Sequence, residues 1–411
     1  MKTILHYCKA FGILIAAYFV FAVLSCWLPD KNIKANIEKS APVLAAEGLY
    51  PKGVIRMDQC QMDNFTDALI MNQIYRIDRK HPVHDAMKMV RADEFGRGWD
   101  QTGLLLRMTK GEDLEEVPYA RYWHGNTFLF RLCFALMDFN MLRWWLFVVS
   151  SLLLVALLCA YYREADLPKT LALAFGFAAT CGFLTQFSMQ FFPILAITVI
   201  ACLLVIKRGE TKDNGLLFFI IGSLACYFDL LTTPLLTLGM PLVVMISLKR
   251  NEGFRLKDNL LGIIRLAFLW GLGFALTFVA KWALATLILG YNVFADAFDT
   301  GLYRMGVEDF TRWDAVSRNF KLLNLPMILV VVLFFIVLKV MHRTKFNWKK
   351  AVLFLLIGLT PYLWYLVLSN HSYLHWWFTY RLQAITLSCL MLLVVEPLND
   401  VPSVGISPKR N

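Results

Sequence analysis

The sequence predicts an all-α polytopic membrane protein of about ten transmembrane helices, with a large first extracytoplasmic loop carrying interfacial helices. Three observations predict it. Hydrophobic residues make up 58% of the 411 positions and charged ones only 17%, against about 25% charged in an ordinary soluble domain. Uncharged runs recur that approach the roughly 20 residues needed to cross a bilayer. Lysine and arginine gather in the short segments between those runs, where they fix orientation.

The first run, Ala10 to Leu28, follows Lys2 and Lys9. Val23-Leu24-Ser25-Cys26 resembles a lipoprotein cleavage site, but Leu24 and Trp27 fit that pattern poorly. The run also exceeds a signal core of about 7–15 residues. An uncleaved first span over residues 1–28, entered from inside, is the expectation. Residues 29–143 then form the extracytoplasmic loop, and the bundle occupies 144–395, beginning with Trp144 to Tyr162.

From Thr170 to Ile206 the chain runs uncharged for 37 residues, too long for one crossing at about 1.5 Å per residue. The polar residues Thr185, Gln186, Ser188 and Gln190, with Pro193, mark a tight outer turn and make the stretch a hairpin. Leu216 to Leu248 repeats the pattern, with Asp229 its only charge. Lys207, Arg208 and Lys212 precede it and Lys249, Arg250, Arg255 and Lys257 follow, so both ends belong inside and Asp229 lies near an outer turn. A span from about Leu260 to Trp282 carries Lys281 at its outer end. A second outer loop covers residues 289–324. Leu325 to Leu338, Ala351 to Asn370 and Trp376 to Val395 complete the spans, and 396–411 form a cytoplasmic tail. Inner flanks at Lys339, Arg343, Lys345, Lys349, Lys350, Lys409 and Arg410 are basic again, which puts both termini in the cytoplasm. The multi-pass arrangement is that expected in a bacterial cytoplasmic membrane.

Composition also narrows the function classes. The net charge of +11 has no basic helix, zinc-ligand spacing or stacking motif beside it, so no nucleic-acid partner is expected. Of nine cysteines, Cys8, Cys26, Cys159, Cys181, Cys202, Cys226 and Cys389 lie in or beside apolar runs and read as small core residues. Cys60 and Cys133, both in the outer loop, are the pair available for a disulfide in an oxidising compartment.

The polar residues that could carry chemistry converge on the outer side. Met62-Asp63-Asn64-Phe65-Thr66-Asp67-Ala68-Leu69 starts an amphipathic helix, expected over residues 62–79 and lying against the membrane. Phe65, Ala68, Leu69 and Asn72 share one side, while Asp63 and Asp67, four apart, share another. A carboxylate held there and partly desolvated suits proton abstraction; the alternative is that the two acids solvate the helix or favour its N-terminus. Asn64-Phe65-Thr66 is also a glycosylation triplet. Further on, Tyr119-Ala120-Arg121-Tyr122-Trp123-His124 brings a cation, aromatics and an imidazole together. That set suits a sugar face or a phosphate, and equally an interfacial belt. Thr127 to Met141 reads as a second interfacial helix leading into the next span.

Near the last span, His371 and His375 stand four apart, a spacing open to metal, but without the HExxH glutamate or a third ligand. Tyr380 and Arg381 follow. Arg381 and Lys281 each sit about one turn inside apolar sequence, where a cation needs a partner. A lipid phosphate or Asp229 would serve, and Arg304 in the second outer loop is a further candidate.

In this arrangement the chain resembles the GT-C superfamily of integral-membrane glycosyltransferases: a first span entered from inside, a large first outer loop with an early Asp63-Asn64, short outer hairpins and a polar outer end on a late span. The segment Tyr227-Phe228-Asp229-Leu230-Leu231-Thr232-Thr233-Pro234 is similar to multispanning proteins of Gram-positive bacteria. The superfamily resemblance implies a polyprenyl-phosphate sugar as co-substrate, a glycan, lipid or protein acceptor, and a first-loop carboxylate as base. By position that base is Asp63, with Asp67 second. Asp63 lies further from the first span than the resemblance implies, and no Asp-x-Asp pair follows in the second hairpin, so a reaction without a divalent metal or other cofactor is expected. Substrate contacts are then expected from Arg121, Trp123, His124, Asp229, Lys281, Arg304, His371, His375, Tyr380 and Arg381. A transporter or flippase of lipid-linked glycan would instead favour internal repeats around a midplane charge, and no repeat is seen. A membrane acyltransferase would use His124 or His371 as base.

Overall fold

Long apolar runs form helices here, and several helix starts are written in the sequence as an aspartate. The computed structural model describes residues 2–52, 59–93, 100–210, 212–341 and 347–395. The tail at 396–411 and the flanking Arg343 and Lys345 lie outside the described residues. Asp63, Asp100, Asp138 and Asp166 each accept a hydrogen bond from the backbone N–H three residues on, capping the helix that follows. A cap of this kind contributes about 1 kcal/mol.

Helix α1 (Lys2–Cys26) leads into a cap built from α2 (Asp30–Glu47), α3 (Asn64–Arg76), α4 (Pro82–Lys88), α5 (Gln101–Thr109) and α6 (Gly125–Phe134). Strands β1 (Val90–Ala92) and β2 (Glu116–Pro118) pair antiparallel within it, Val90 opposite Pro118. The bundle begins with α7 (Phe139–Glu164), α8 (Leu167–Ala179), α9 (Gly182–Thr185), α10 (Phe192–Arg208), α11 (Gly215–Phe228), α12 (Leu236–Leu248) and α13 (Leu256–Leu289). Then follow α14 (Val293–Met305), α15 (Arg312–Phe320), α16 (Leu325–Met341), α17 (Trp348–Gly358), α18 (Thr360–Val367), α19 (Ser369–Leu374), α20 (Trp376–Thr379), a 3-10 turn (Tyr380–Gln383) and α21 (Ala384–Val395).

Among the described residues, five stretches are long and apolar enough to cross a membrane: Ile4–Cys26, Phe139–Glu164, Leu256–Leu289, Trp348–Val367 and Trp376–Val395. The apolar helices α8, α11 and α12 have 13 or 14 residues, about 20 Å at 1.5 Å per residue, against a hydrocarbon core of about 30 Å. Helix α13 runs for 34 residues, well beyond the expected Leu260 to Trp282, because nothing breaks it before Gly290, whose φ of 76° ends it. It lies close against α11: a Cβ added at Gly222 would sit 2.0 Å from the Trp270 carbonyl, and one at Gly273 2.1 Å from that of Phe219. Only glycine permits this approach, the small-residue packing that lets apolar helices touch backbone to backbone.

The cap has its own core. Ile33, Ile37 and Leu44 of α2, Ile70, Met71 and Ile74 of α3, Leu105 of α5 and Phe130 and Phe134 of α6 meet Phe139 and Leu142 of α7. Arg131 fastens it to the first helix: fully buried, it donates to the carbonyls of Ser25 and Ile74 at 2.9 Å each, and pairs with Asp30.

Three expectations are corrected here. The segment at 62–79 is no interfacial helix, since α3 runs from Asn64 to Arg76 and is buried on nearly all sides. Two of its polar side chains bond inside the protein: Asn72 accepts from the Ala92 N–H at 2.8 Å, and the Thr127 hydroxyl donates to Gln73 at 2.8 Å. Nor is Thr127 to Met141 one helix, because α6 ends at Phe134 and Asp138 starts α7 afresh. Cys60 pairs with Cys181, the turn residue before α9, and Cys133 is a free thiol. That bond ties the chain just ahead of α3 to the turn between α8 and α9.

Candidate functional site

The start of α3 meets two bundle turns, residues 186–191 and 229–235, and buried acids collect there. Asp63, Asp67 and Asp229 are each at most 2% exposed. Asp63 is occupied with local structure: its Oδ1 accepts the Thr66 N–H at 3.1 Å and its Oδ2 the Thr66 hydroxyl at 2.7 Å. Burial raises its pKa, while the Thr66 bonds and the positive charge of Arg381 oppose the rise. Asp67 lies one turn along, its Oδ1 accepting from the Ser188 hydroxyl at 3.0 Å and the Gln190 N–H at 3.2 Å. Burial and then the negative charge of Asp63 push its carboxyl up to about 7.

The Gln190 side chain donates to the Thr232 hydroxyl, and the Thr232 N–H donates to Asp229 Oδ1 at 3.0 Å. A chain of hydrogen-bonding groups thus joins Asp67 to Asp229. Burial carries Asp229 to about 7 as well, against the bonds from Thr232 and neighbouring N–H groups. Its Oδ2 has no hydrogen-bond partner among the described residues, an expensive state for a buried oxygen.

Arg381 provides the cation. It is 3% exposed, donates from Nη2 to the Gln61 carbonyl at 2.9 Å, lies over the Phe191 ring at 4.6 Å and leaves Nε without a partner. Together with Thr233 it lines a narrow cleft whose other walls include Phe177, Ile194, Leu195 and Leu236. The cleft thus combines a buried guanidinium with largely apolar walls. Tyr380 is directed elsewhere, its hydroxyl donating to the Gln59 and Thr180 carbonyls at 2.6 and 3.0 Å.

A second group gathers Arg121, Tyr122, His124, Arg304, His371 and His375. Arg121 lies 4.5 Å from the Tyr119 ring centre and 3.2 Å from Asp296; Arg304 lies 5.4 Å from the Tyr122 ring. His371 Nε2 is 2.7 Å from the Leu231 carbonyl, two residues from Asp229, and the ring centres of His371 and His375 are 4.9 Å apart. Burial first, then the charge of Arg304, keeps His371 well below the usual imidazole range and brings His375 down to about 4. His124, in a left-handed conformation with φ of 58°, holds the Tyr119 carbonyl through Nε2 at 2.7 Å, and burial brings it down to about 3. These imidazoles are neutral at pH 7. Among the described residues, Nδ1 of His124, His371 and His375 and one Arg304 nitrogen have no partner.

Two expected contacts belong to neither group. Lys281 is fully buried and donates to the Met87 and Ala86 carbonyls at 2.9 and 3.3 Å, which fixes α4 onto α13. Trp123 is enclosed too, donating to the Thr277 carbonyl at 2.7 Å beside Tyr18 and Tyr227. The glycosylation triplet is likewise structural: Asn64 is buried and its amide donates to Glu47 and the Gly48 carbonyl at 2.9 Å each.

Sequence reasoning passed over Arg143 and Glu47. Arg143 grips Glu47 through two contacts of 2.8 Å and Asn64 through one of 2.7 Å, and its charge opposes the rise at Asp67. The only signal was an unpaired arginine at the head of an apolar run. Ser188 and Gln190 read in the sequence as turn residues, and Thr232 as a polar neighbour of Asp229. No family model, curated protein or solved structure matches this chain, so the glycosyltransferase resemblance rests on the motifs quoted above.

Proposed function

We propose that the chain is a membrane glycosyltransferase moving a sugar from a polyprenyl-phosphate donor to an extracytoplasmic glycan, lipid or protein acceptor. One observation carries this reading: Asp67, a buried carboxyl brought to about 7, accepts from the N–H of Gln190, the residue before Phe191, and Phe191 lines an apolar-walled cleft together with Arg381. A general base acts best when its pKa lies near the working pH. Asp67 takes the proton of the acceptor hydroxyl as that oxygen bonds the sugar's anomeric carbon. The bond from this carbon to the lipid phosphate breaks, and Arg381 balances the charge left on the phosphate. Asp63 holds the start of α3 and faces Arg381, a positioning role. Arg121, Arg304, Tyr122 and the two histidines at 371 and 375 receive the acceptor.

The accompanying topology has ten crossings and both termini in the cytoplasm of a bacterial cell. Five crossings use the long apolar stretches, and the shorter apolar helices and their connecting turns supply the rest. The basic segments at 207–212 and 249–257 support this orientation.

The test is transfer in proteoliposomes with defined polyprenyl-phosphate sugars, guided by mass spectrometry of lipid-linked sugars in a deletion strain. Donor turnover that is lost in Asp67→Asn supports the reading. No turnover with any donor and an unchanged lipid-linked sugar pool would reject it.

A proton-coupled transporter or flippase of lipid-linked glycan is a second reading, favoured by two buried carboxyls, both brought to about 7, that are bridged by the residues Gln190 and Thr232. It predicts proton movement that accompanies lipid translocation and ceases in Asp229→Asn.

A further inference from the structure

The second loop presents an apolar ridge beside this site. Helix α14 divides into three faces at 100° per residue. Val293 and Ala297 are buried against the protein, and Arg304 projects from that side toward Tyr122 and His371. Asp296 and Asp299 occupy a second, exposed face. Phe294, Phe298, Leu302 and Met305 occupy the third, with Phe298 66% and Leu302 50% exposed. Helix α15 repeats the division: Ala315 and Asn319 are buried, while Trp313, seven residues before Phe320, is 69% exposed.

Both helices are firmly seated. The Asn370 amide donates to the Tyr303 carbonyl at 3.1 Å, and the Thr379 hydroxyl donates to Asn319 at 2.7 Å. The exposed ridge is therefore a held feature of the fold. It continues the apolar surface of the bundle, because Leu287 at the end of α13 is 80% exposed and Leu363, Val367 and Leu374 are exposed on α18 and α19. The ridge residues carry no charge, and carboxylates stand on the adjoining face. An amphipathic helix lying in a bilayer interface needs this division, with aromatic side chains at headgroup depth.

We propose that α14 and α15 form an interfacial collar whose apolar ridge is sunk into the leaflet at the cap end of the bundle. Its occupant is lipid acyl chain. The collar holds Arg304 at the mouth of the site, at the depth where an amphiphile's headgroup travels. This inference is independent of the chemistry proposed above.

The experiment uses the full chain in phosphatidylcholine–phosphatidylglycerol liposomes, with Cys8, Cys133 and Cys159 changed to serine and the Cys60–Cys181 pair kept. Single nitroxides are placed at F298C, L302C, W313C and D299C, and at F268C, an exposed site within α13, as the lipid reference. Collisions with oxygen, which concentrates in lipid, are compared with those of a water-soluble nickel chelate. The expected result is oxygen-dominated relaxation at 298, 302, 313 and 268, and nickel-dominated relaxation at 299. Nickel access at 298, 302 and 313 equal to that at 299 would overturn the collar while leaving the site chemistry untouched. Low access to both reagents at 298, 302 and 313 would also overturn it, since protein would then cover the ridge. Nickel access at 268 would remove the membrane placement itself.

Discussion

The Ser188 hydroxyl donates to Asp67 Oδ1 across 3.0 Å, joining residues 121 positions apart. This contact seats a first-loop helix on a bundle turn and fixes the orientation of the carboxyl that titrates near neutrality. Removal of the hydroxyl in Ser188→Ala takes away one bond that favours the ionised form, so the Asp67 pKa should rise further.

Asp67 and Asp63 should separate by their substitutions. Asp67→Asn cannot accept a proton at neutral pH, and loss of a general base typically costs about 10²–10⁴ in rate. Asp63→Ala removes the cap of α3 and should lower stability by about 1–2 kcal/mol. Initial rates on folded protein, with thermal melts alongside, check both. A rate loss at Asp63→Asn as large as at Asp67→Asn would move the base to Asp63.

Activity and stability should run in opposite directions with pH. The folded-state pKa of Asp67, about 7, lies above its unfolded value of about 3.9. Its contribution to stability is fully present below the unfolded value and is lost as pH rises through about 7. Transfer, which needs the carboxylate, should increase over the same rise. Melting temperatures from pH 5 to 8 should therefore fall more steeply in the parent than in Asp67→Asn. Equal slopes would show that this carboxyl does not titrate in that window.

Lys281 should behave as a structural anchor. Lys281→Met keeps the stem but leaves the Met87 and Ala86 carbonyls without this donor. A cost of about 1–3 kcal/mol is expected, with donor KM unchanged. A raised donor KM at unaltered stability would return this lysine to the substrate.

The crossing of α11 and α13 should tolerate no side chain. Gly222→Ala places a Cβ onto the Trp270 carbonyl at 2.0 Å, and the helices must part to relieve it. Overpacking of this kind costs about 1–3 kcal/mol, readable as a lower melting temperature in detergent. Gly262→Ala, with open space around its Cβ, is the control and should be neutral or slightly stabilising.

Peptide mapping without reduction should recover Cys60 linked to Cys181, with Cys133 alkylated as a free thiol. A peptide joining Cys60 to Cys133 would contradict the cap arrangement.

The sequence by itself determined the long apolar helices and the turn before Pro193, because hydropathy runs and proline act within a few positions. It also placed Asp63, Asp67, Asp229 and Arg381 among a wider set of candidates, since charges in apolar surroundings stand out. It could not tell that α3 is enclosed: local periodicity gives one apolar and one acidic side, while residues distant in sequence, Ala92 and Thr127, bond Asn72 and Gln73 inside. For the same reason the partner of Cys60 was missed, as the cap lays that cysteine on the turn after α8. Only the tertiary structure decided that Asp63 serves as a cap while Asp67 stands in a buried network at about 7. Desolvation depends on everything packed around a group, and most of what surrounds Asp67 comes from elsewhere in the chain.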